Sequence, residues 1–269
     1  MAGVEEFFGS PGKIAMMKRS AALSTLLKDD PRYAYYGRMV GVSDPTGDIA
    51  ETLMALAHLV GASATYYYPK TSADSLFRNF AENGYASDRH EHYWGGHSAY
   101  VASQSILAEH ALPEDLQLMV IDEKTPRSLV AEVAGLCQSC EVMPVPGSTM
   151  RGRARRGINL IACDQQGRPV ANASSFVMHH PKSPYCNDMF WGMLATREDR
   201  RGEKLALVLG AKVIVHMWEN EGARGFTTGV RDDNAPSKSL CNKLGVTDSD
   251  WVFAQCLDTE ILGSSTVTK

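Results

Sequence analysis

Residues 194–209 constrain the fold more than any other stretch. A β-prone run ends at Leu194, Ala195 and Thr196, a polar turn containing Arg201 and Gly202 follows, and an apolar segment begins at Leu205. A strand that feeds directly into a long apolar helix needs a sheet for that helix to pack on. The turn itself has chemical consequences. The first N–H groups of a helix lack intrahelical acceptors and favour anions, and a glycine lets a phosphate approach the main chain. The turn reads as a candidate pyrophosphate cradle, although on this feature alone an ordinary structural turn is the simpler reading.

Periodicity and breakers divide the rest. Helices are predicted over 12–28, 48–60 with Gly61 as its cap, 72–83, 98–110 and 125–140. Strands are predicted over 62–68, 88–94 and 116–121. A loop over 144–157 carries Arg151, Arg153, Arg155 and Arg156. Strands 158–164 and 169–179 flank the turn Gln165, Gln166, Gly167, a hairpin signal. Then come a strand at 189–195, a helix at 202–220, a strand at 225–230, a helix at 236–243 and a strand at 251–257. This order predicts an α/β or mixed α+β fold.

Bulk properties exclude several classes. A formal net charge of -4 argues against nonspecific binding to nucleic acid or anionic membrane. No apolar run approaches the ~20 residues that cross a bilayer. Glu5 and Glu6 precede any basic residue, so we expect no signal peptide and a cytoplasmic location. Six cysteines in 269 residues do not make a disulfide framework. Cys137 and Cys140 form a lone C-x-x-C with no second pair at zinc spacing, and small partly buried thiols are the expectation.

Two spaced segments carry a family resemblance. Arg201, Gly202, Glu203, Lys204, Leu205 and Ala206 resemble the acyl-CoA motif of GNAT acetyltransferases. Arg201, Gly202 and Ala206 match, and Lys204 stands at the usual central glycine. Residues 230–246, with Asn234 and the ending Lys243, Leu244, Gly245, resemble that family's later strand, Asn turn and short helix. One helix and one strand fit between the two segments. The resemblance spans 115–258 in element order, with specific matches confined to 194–246.

The resemblance implies a GNAT-like fold: a central mixed, mostly antiparallel sheet flanked by helices, with acyl-CoA, typically acetyl-CoA, held where two parallel strands splay. Leu194, Ala195 and Thr196 would bond the pantetheine amides. N–H groups of Arg201, Gly202, Glu203, Lys204, Leu205 and Ala206 would hold the diphosphate, and Asn234 would anchor the donor arm. A main-chain N–H at a bulge near Met193 or Leu194 would polarise the thioester carbonyl. The implied reaction is direct attack by a neutral amine, which needs a base and often an acid for the leaving thiolate. The family's acidic tyrosine aligns with Cys241, which is either a proton donor or a spectator. Asp188, Glu198, His179 and His180 are the candidate bases, with a solvated turn as the plainer reading of the two histidines.

Other features have plain readings beside functional ones. The arginine run either pairs with an acidic group of substrate or donor or is a solvated basic loop. His90 and His92 alternate on one strand and share a face as a metal pair does, but no third ligand is evident, so packing at a surface or interface is expected. Residues 48–94 repeat the helix–strand–helix–strand order of 203–257, which suggests a degenerate partial GNAT-like repeat that walls the substrate cleft. The expected organisation is therefore 1–112 as the degenerate N-terminal part, 113–260 as the acyltransferase domain and 261–269 as a tail.

The leading expectation is an acyl-CoA-dependent N-acyltransferase acting on a primary amine of a small molecule. A peptide or protein N-acetyltransferase and a catalytically silent acyl-CoA-binding module are the alternatives. A homodimer is compatible with it; nucleic acid and membrane are not expected partners.

Overall fold

The computed structural model describes residues 5–263, 266 and 267. Among them the helices are α1 (Pro11–Leu26), α2 (Ile49–Val60), α3 (Lys70–Glu82), α4 (His97–Glu109), α5 (Arg127–Ser139), α6 (Gly147–Met150), α7 (Leu205–Asn220), α8 (Ala235–Lys243) and α9 (Thr259–Leu262). The strands are β1 (Tyr33–Ala34), β2 (Gly41–Val42), β3 (Ala62–Pro69), β4 (Ala86–Gly95), β5 (Gln117–Val120), β6 (Gly157–Cys163), β7 (Pro169–Val177), β8 (Asp188–Thr196), β9 (Gly225–Val230) and β10 (Thr247–Leu257). These strands form one sheet in the order β1-β2-β3-β10-β4-β9-β8-β7-β6-β5. Only β2–β3 and β8–β9 pair in parallel, so the sheet is mixed and mostly antiparallel, as expected.

Local chemistry sets the element ends. Ser10 accepts from the Lys13 N–H to cap α1, and Pro11 occupies its first turn. Asp48 accepts from the Glu51 N–H at 3.1 Å to cap α2, and Gly61 closes that helix at φ 103°. Asn234 accepts from the Ser237 N–H at 3.1 Å to cap α8. α7 begins at Leu205 rather than 202, because Gly202 (φ 86°) and Lys204 (φ 60°) are both left-handed.

The sheet's central strands are covered on both faces. Phe190, Met193 and Ala195 of β8 join the cluster containing Val130, Val133 and Ala134 of α5. Met189 and Trp191 join the cluster containing Leu209, Val213 and Ile214 of α7. Alternate residues of one strand thus anchor opposite layers, each large apolar side chain contributing about 1.5–3 kcal/mol on full burial.

The two halves repeat one another. β2, α2, β3, α3 and β4 follow the same order as β8, α7, β9, α8 and β10. Each run starts with a parallel pair. The last strand of each run inserts into the other run: β10 lies between β3 and β4, and β4 lies between β10 and β9. The sheet therefore continues unbroken across the 112/113 divide expected from sequence, because β4 supplies the ladder partner that β9 and β10 share.

Several details differ from expectation. α6 occupies part of the expected 144–157 loop, and β10 starts at Thr247 rather than 251. Three of the four arginines of the 151–156 run have partners within the protein, while Arg153 is exposed. Arg151 pairs with Glu6 at 3.2 Å, Arg155 donates to the Tyr35 carbonyl at 2.6 Å, and Arg156 pairs with Glu221 at 3.3 Å. Arg151 and Arg155 thus tie the second half to the first, and Arg156 is paired within the second. All six cysteines are free thiols. Within the expected tail, residues 264, 265, 268 and 269 lie outside the described part. Leu262 and Val267 are buried, and Gly12 of α1 makes room for α9: a Cβ there would sit 2.1 Å from the Leu262 carbonyl oxygen. Among the described residues no helix is long and apolar enough to cross a membrane.

Candidate active site in the splayed strands

β8 and β9 pair through Asp188 with Gly225, Met189 with Phe226 and Phe190 with Thr227. Beyond Phe190 they part. A bulge drives the parting: the β7–β8 register shifts between Asn172 and Ser174, and Met193 adopts φ 53°. A left-handed non-glycine residue costs about 1–2 kcal/mol, so its surroundings must impose it. Here a buried polar ladder does so. Asn172 Nδ2 donates to the Met193 carbonyl at 2.7 Å, Asn159 Nδ2 donates to Asn172 Oδ1 at 2.8 Å, and the Ser174 hydroxyl donates to Asn159 Oδ1. Asn159, Asn172 and Ser174 are all fully buried.

The gap opens into a cavity. Met193, Leu194, Thr228, Arg231, Asn234 and Cys241 line its C-terminal side. Tyr36, Arg38, Tyr66 and His90 from the first half line its other side, with Gln255 of β10. The first half therefore walls the cavity, as the repeat hypothesis expected.

Below the gap, β8 runs through Thr196 into the start of α7. A second groove there is lined by Thr196, Arg201, Gly202, Lys204, Ala206 and Lys243. The first N–H to close on the helix is Val208, onto the Lys204 carbonyl at 3.0 Å. Among the described residues, the N–H groups of Leu205, Ala206 and Leu207 have no acceptor, and no side chain caps α7. Helix starts with open donors of this kind favour anions, and three cations, Arg201, Lys204 and Lys243, line the groove. Lys204 at the family's glycine position keeps a glycine-like backbone, and its Nζ lies 3.3 Å from His110 Nε2, toward α4. Glu203 is taken up by Arg200 at 2.6 Å, which also pairs with Asp115 at 2.8 Å. The residues present thus fit a diphosphate: open donors, flanking cations, and the nearest carboxylate already paired.

The expected acid and base groups fare differently. Asp188 sits at the closed end of the splay, where its Oδ2 accepts from Tyr67 Oη and Trp94 Nε1, each at 3.0 Å. Burial raises its carboxyl above the usual range. It stands five residues from Met193, roughly 16 Å along an extended strand, and so cannot take a proton from an amine at the bulge. Glu198 opens an exposed 3-10 turn, Glu198–Arg200, beyond the cradle. His179 is buried rather than solvated, with Nδ1 2.8 Å from Ser43 Oγ, and burial followed by the nearby His92 holds its pKa down to about 3. His180 Nδ1 accepts from the Lys182 N–H at 3.0 Å in a turn. Cys241 alone of these groups lines the cavity, and burial pushes its thiol up to about 12.

The sequence reading missed His90 as a cavity residue. Continuing the parallel register from Phe190 and Thr227 places Met193 level with Val230, which pairs with Glu91, the neighbour of His90. His90 therefore stands at the level of the bulge. Burial, then Arg231 and Arg38, hold its pKa down to about 4, so the ring is neutral at pH 7. Its Nδ1 lies 3.1 Å from Gln255 Nε2. His92 shares the face of His90, as expected, and is buried between Thr227 at 2.7 Å and Ser249 at 2.8 Å. Among the described residues no group of three side chains is arranged to hold a metal.

No family model matches the chain, and no curated protein matches it in sequence. Solved structures do resemble it. A tandem GNAT protein from the clavulanic acid biosynthesis pathway, solved without AcCoA, superposes with a TM-score of 0.52 at 19% identity, covering 77% of this chain and 66% of its own. This chain thus spans slightly less than two thirds of that protein. A GCN5-related N-acetyltransferase from Kribbella flavida superposes with a TM-score of 0.53 at 13% identity, over 91% of this chain and 95% of its own. A Drosophila protein gives a TM-score of 0.53 at 10% identity over 93% and 90%. With the splayed parallel pair, the bulge and the open helix start already in view, these likenesses identify the architecture as the GNAT acetyltransferase fold in a tandem-like arrangement.

Proposed function

We propose that this chain is an acyl-CoA-dependent N-acyltransferase that acylates a primary amine of a small molecule. One observation carries the reading: the β8 edge freed by the Met193 bulge leads directly into an uncapped, cation-ringed start of α7. In this reading residues 113–260 hold the donor and residues 1–112 shape the acceptor side.

Acyl-CoA supplies the activated thioester. The N–H groups of Gly202, Lys204, Leu205, Ala206 and Leu207, with Arg201, Lys204 and Lys243, hold its diphosphate. The main-chain groups of Leu194, Ala195 and Thr196 that face the gap have no ladder partner on β9 and bond the pantetheine amides. Asn234 commits Oδ1 to the α8 cap and keeps its Nδ2 for the donor arm. A main-chain N–H of the bulge offers a fixed donor where the carbonyl oxygen gains charge. His90, level with the bulge, lines the side of the cavity from which the amine would approach.

Cys241 is assigned as a spectator. Moving a proton from a thiol at about 12 to a thiolate at its ordinary ~8.5 runs uphill by roughly 5 kcal/mol. At pH 7, below the ordinary pKa of the thiol, exchange with bulk solvent and buffer leaves the released thiolate protonated without a protein acid. The walls contributed by Tyr36, Met39, Tyr66 and Phe253 favour a small acceptor over a polypeptide chain.

The test is release of free thiol from acetyl-CoA over a panel of amino acids, polyamines, aminoglycosides and peptides. Turnover on a small amine above any peptide is expected. Tight coenzyme A binding with no turnover on any amine contradicts the proposal and makes the chain a binding module.

A further inference from the structure

We infer that the acceptor carries a carboxylate and that Arg38 receives it, so the substrate class is an apolar amino acid. The inference rests on the acyltransferase reading above and deepens it.

Arg38 is buried, with 7% of its surface exposed. Its Nη2 donates to the Met143 carbonyl, and the guanidinium lies over the rings of Tyr36 at 5.6 Å and Phe190 at 5.3 Å. Among the described residues no carboxylate pairs with it, and its Nε–H has no acceptor. A guanidinium removed from water needs a counter-charge; ring faces and one carbonyl do not replace it. The second arginine on the cavity wall shows the contrast: Arg231 pairs with Asp88 at 3.6 Å and Asp233 at 3.5 Å.

Two further residues that line the same cavity each carry an unmatched buried polar atom. Tyr66 Oη is fully buried with no partner, and so is Gln255 Oε1 in a residue 6% exposed. Buried polar groups are almost always satisfied, so three orphans on one wall point to a missing ligand. Their signs define it. Arg38 Nε–H and Tyr66 O–H are donors suited to a carboxylate, and Gln255 Oε1 is an acceptor suited to an amine N–H. Met39, Val142, Phe253 and Val267 supply the apolar part of the wall, which suits an apolar side chain, and Glu141 is the carboxylate of the lining.

The experiment compares leucine and phenylalanine with isopentylamine and phenethylamine, which keep the side chains and lack the carboxylate. With acetyl-CoA, the acids are expected to show kcat/KM at least 100-fold higher. Arg38→Gln is expected to reduce that preference below tenfold, and Tyr66→Phe to narrow it in the same direction without removing a charge. Neutral amines accepted equally well by the wild-type protein overturn the inference, even where Arg38→Gln fails to fold. A second arm offers malonyl-CoA and succinyl-CoA with the neutral amines. A tenfold preference for these donors, without an acid preference among acceptors, assigns the carboxylate to the acyl group and also overturns it. A third arm measures melting temperature with each amino acid alone. A rise that Arg38→Gln abolishes supports the carboxylate site even if no acetyl transfer occurs, in which case only the acyltransferase reading fails.

Discussion

The two parallel pairs of the sheet have the same topology and opposite fates. After β8, α7 starts with open N–H groups, no side-chain cap and the cations Arg201, Lys204 and Lys243 around it. After β2, α2 starts with the Asp48 carboxylate on the Glu51 N–H, beside Asp44 and Glu51. The gap near β3 is also filled. Tyr67 stacks on Tyr185 at 3.7 Å, Ser43 bonds His179, and Tyr67 donates to Asp188. The lesson is electrostatic: a splayed pair and a helix make an anion site only when the helix start is left uncapped. The first half keeps the scaffold, seals its own site and offers its other residues as a wall to the second.

Making the second helix start resemble the first has the largest expected effect. Lys204→Asp places a carboxylate at the N-cap of α7, where it both caps free N–H groups and opposes a diphosphate. At a separation of about 6 Å and an effective dielectric of about 20, this costs about 2–3 kcal/mol, or roughly 30- to 150-fold in acetyl-CoA affinity. Calorimetric titration checks it, and unchanged affinity removes the cradle from α7.

The buried histidines of the sealed gap and of the cavity wall have a pH signature. Burial above all holds His92 and His179 down to about 3, and His90 to about 4. An unfolded chain binds these protons below an ordinary pKa of about 6.5, whereas the folded protein does not until pH 4 or lower. Stability is therefore full above about pH 6.5 and lost as pH falls toward 4, by a few kcal/mol in sum. Asp88, raised to about 6 by burial, works in the opposite direction between about pH 6 and 4, one group against three. Urea denaturation at pH 7.5 and pH 4.5 measures the difference; a flat profile contradicts the buried neutral imidazoles.

The bulge distinguishes β8 from the two-residue β2. Asn172→Ala removes the donor to the Met193 carbonyl and leaves Asn159 short of a partner. A loss of about 1–3 kcal/mol in stability is expected, with a fall in kcat larger than any change in KM for acetyl-CoA. Denaturant melts and steady-state kinetics separate the two effects. An unchanged kcat shows that the ladder serves stability alone.

Asp188 gives the smallest expected effect. It belongs to the sealed gap, so Asp188→Asn should leave kcat within about threefold, whereas loss of a general base costs about 10²–10⁴-fold. A pH–rate profile of the variant decides it.

Much of this was legible in the sequence because it is local. Caps at Asp48 and Gly61, the hairpin at Gly167 and the strand–turn–helix at 194–209 follow from side-chain and backbone preferences within a few residues. The site's position near Met193 was legible through the family resemblance. The exchange of β4 and β10 was not, because antiparallel ladders between distant strands leave no periodic trace. Arg38 was hidden too: residues 31–47 contain only two-residue strands, with no period to mark which side chains turn inward. Asp188 was misplaced because sequence shows that it begins a strand, not which end of the splay stays closed. Asn159, Asn172 and Ser174 did leave a signal, as polar residues inside strands that are otherwise buried and apolar.

The most direct measurement is hydrogen exchange at the main-chain amides of residues 202–207, with the amides of 48–51 as the internal comparison. The account predicts that acetyl-CoA slows exchange at 202–207 and raises the melting temperature, while 48–51 exchange as before. Equal protection at both helix starts, or at neither, contradicts it.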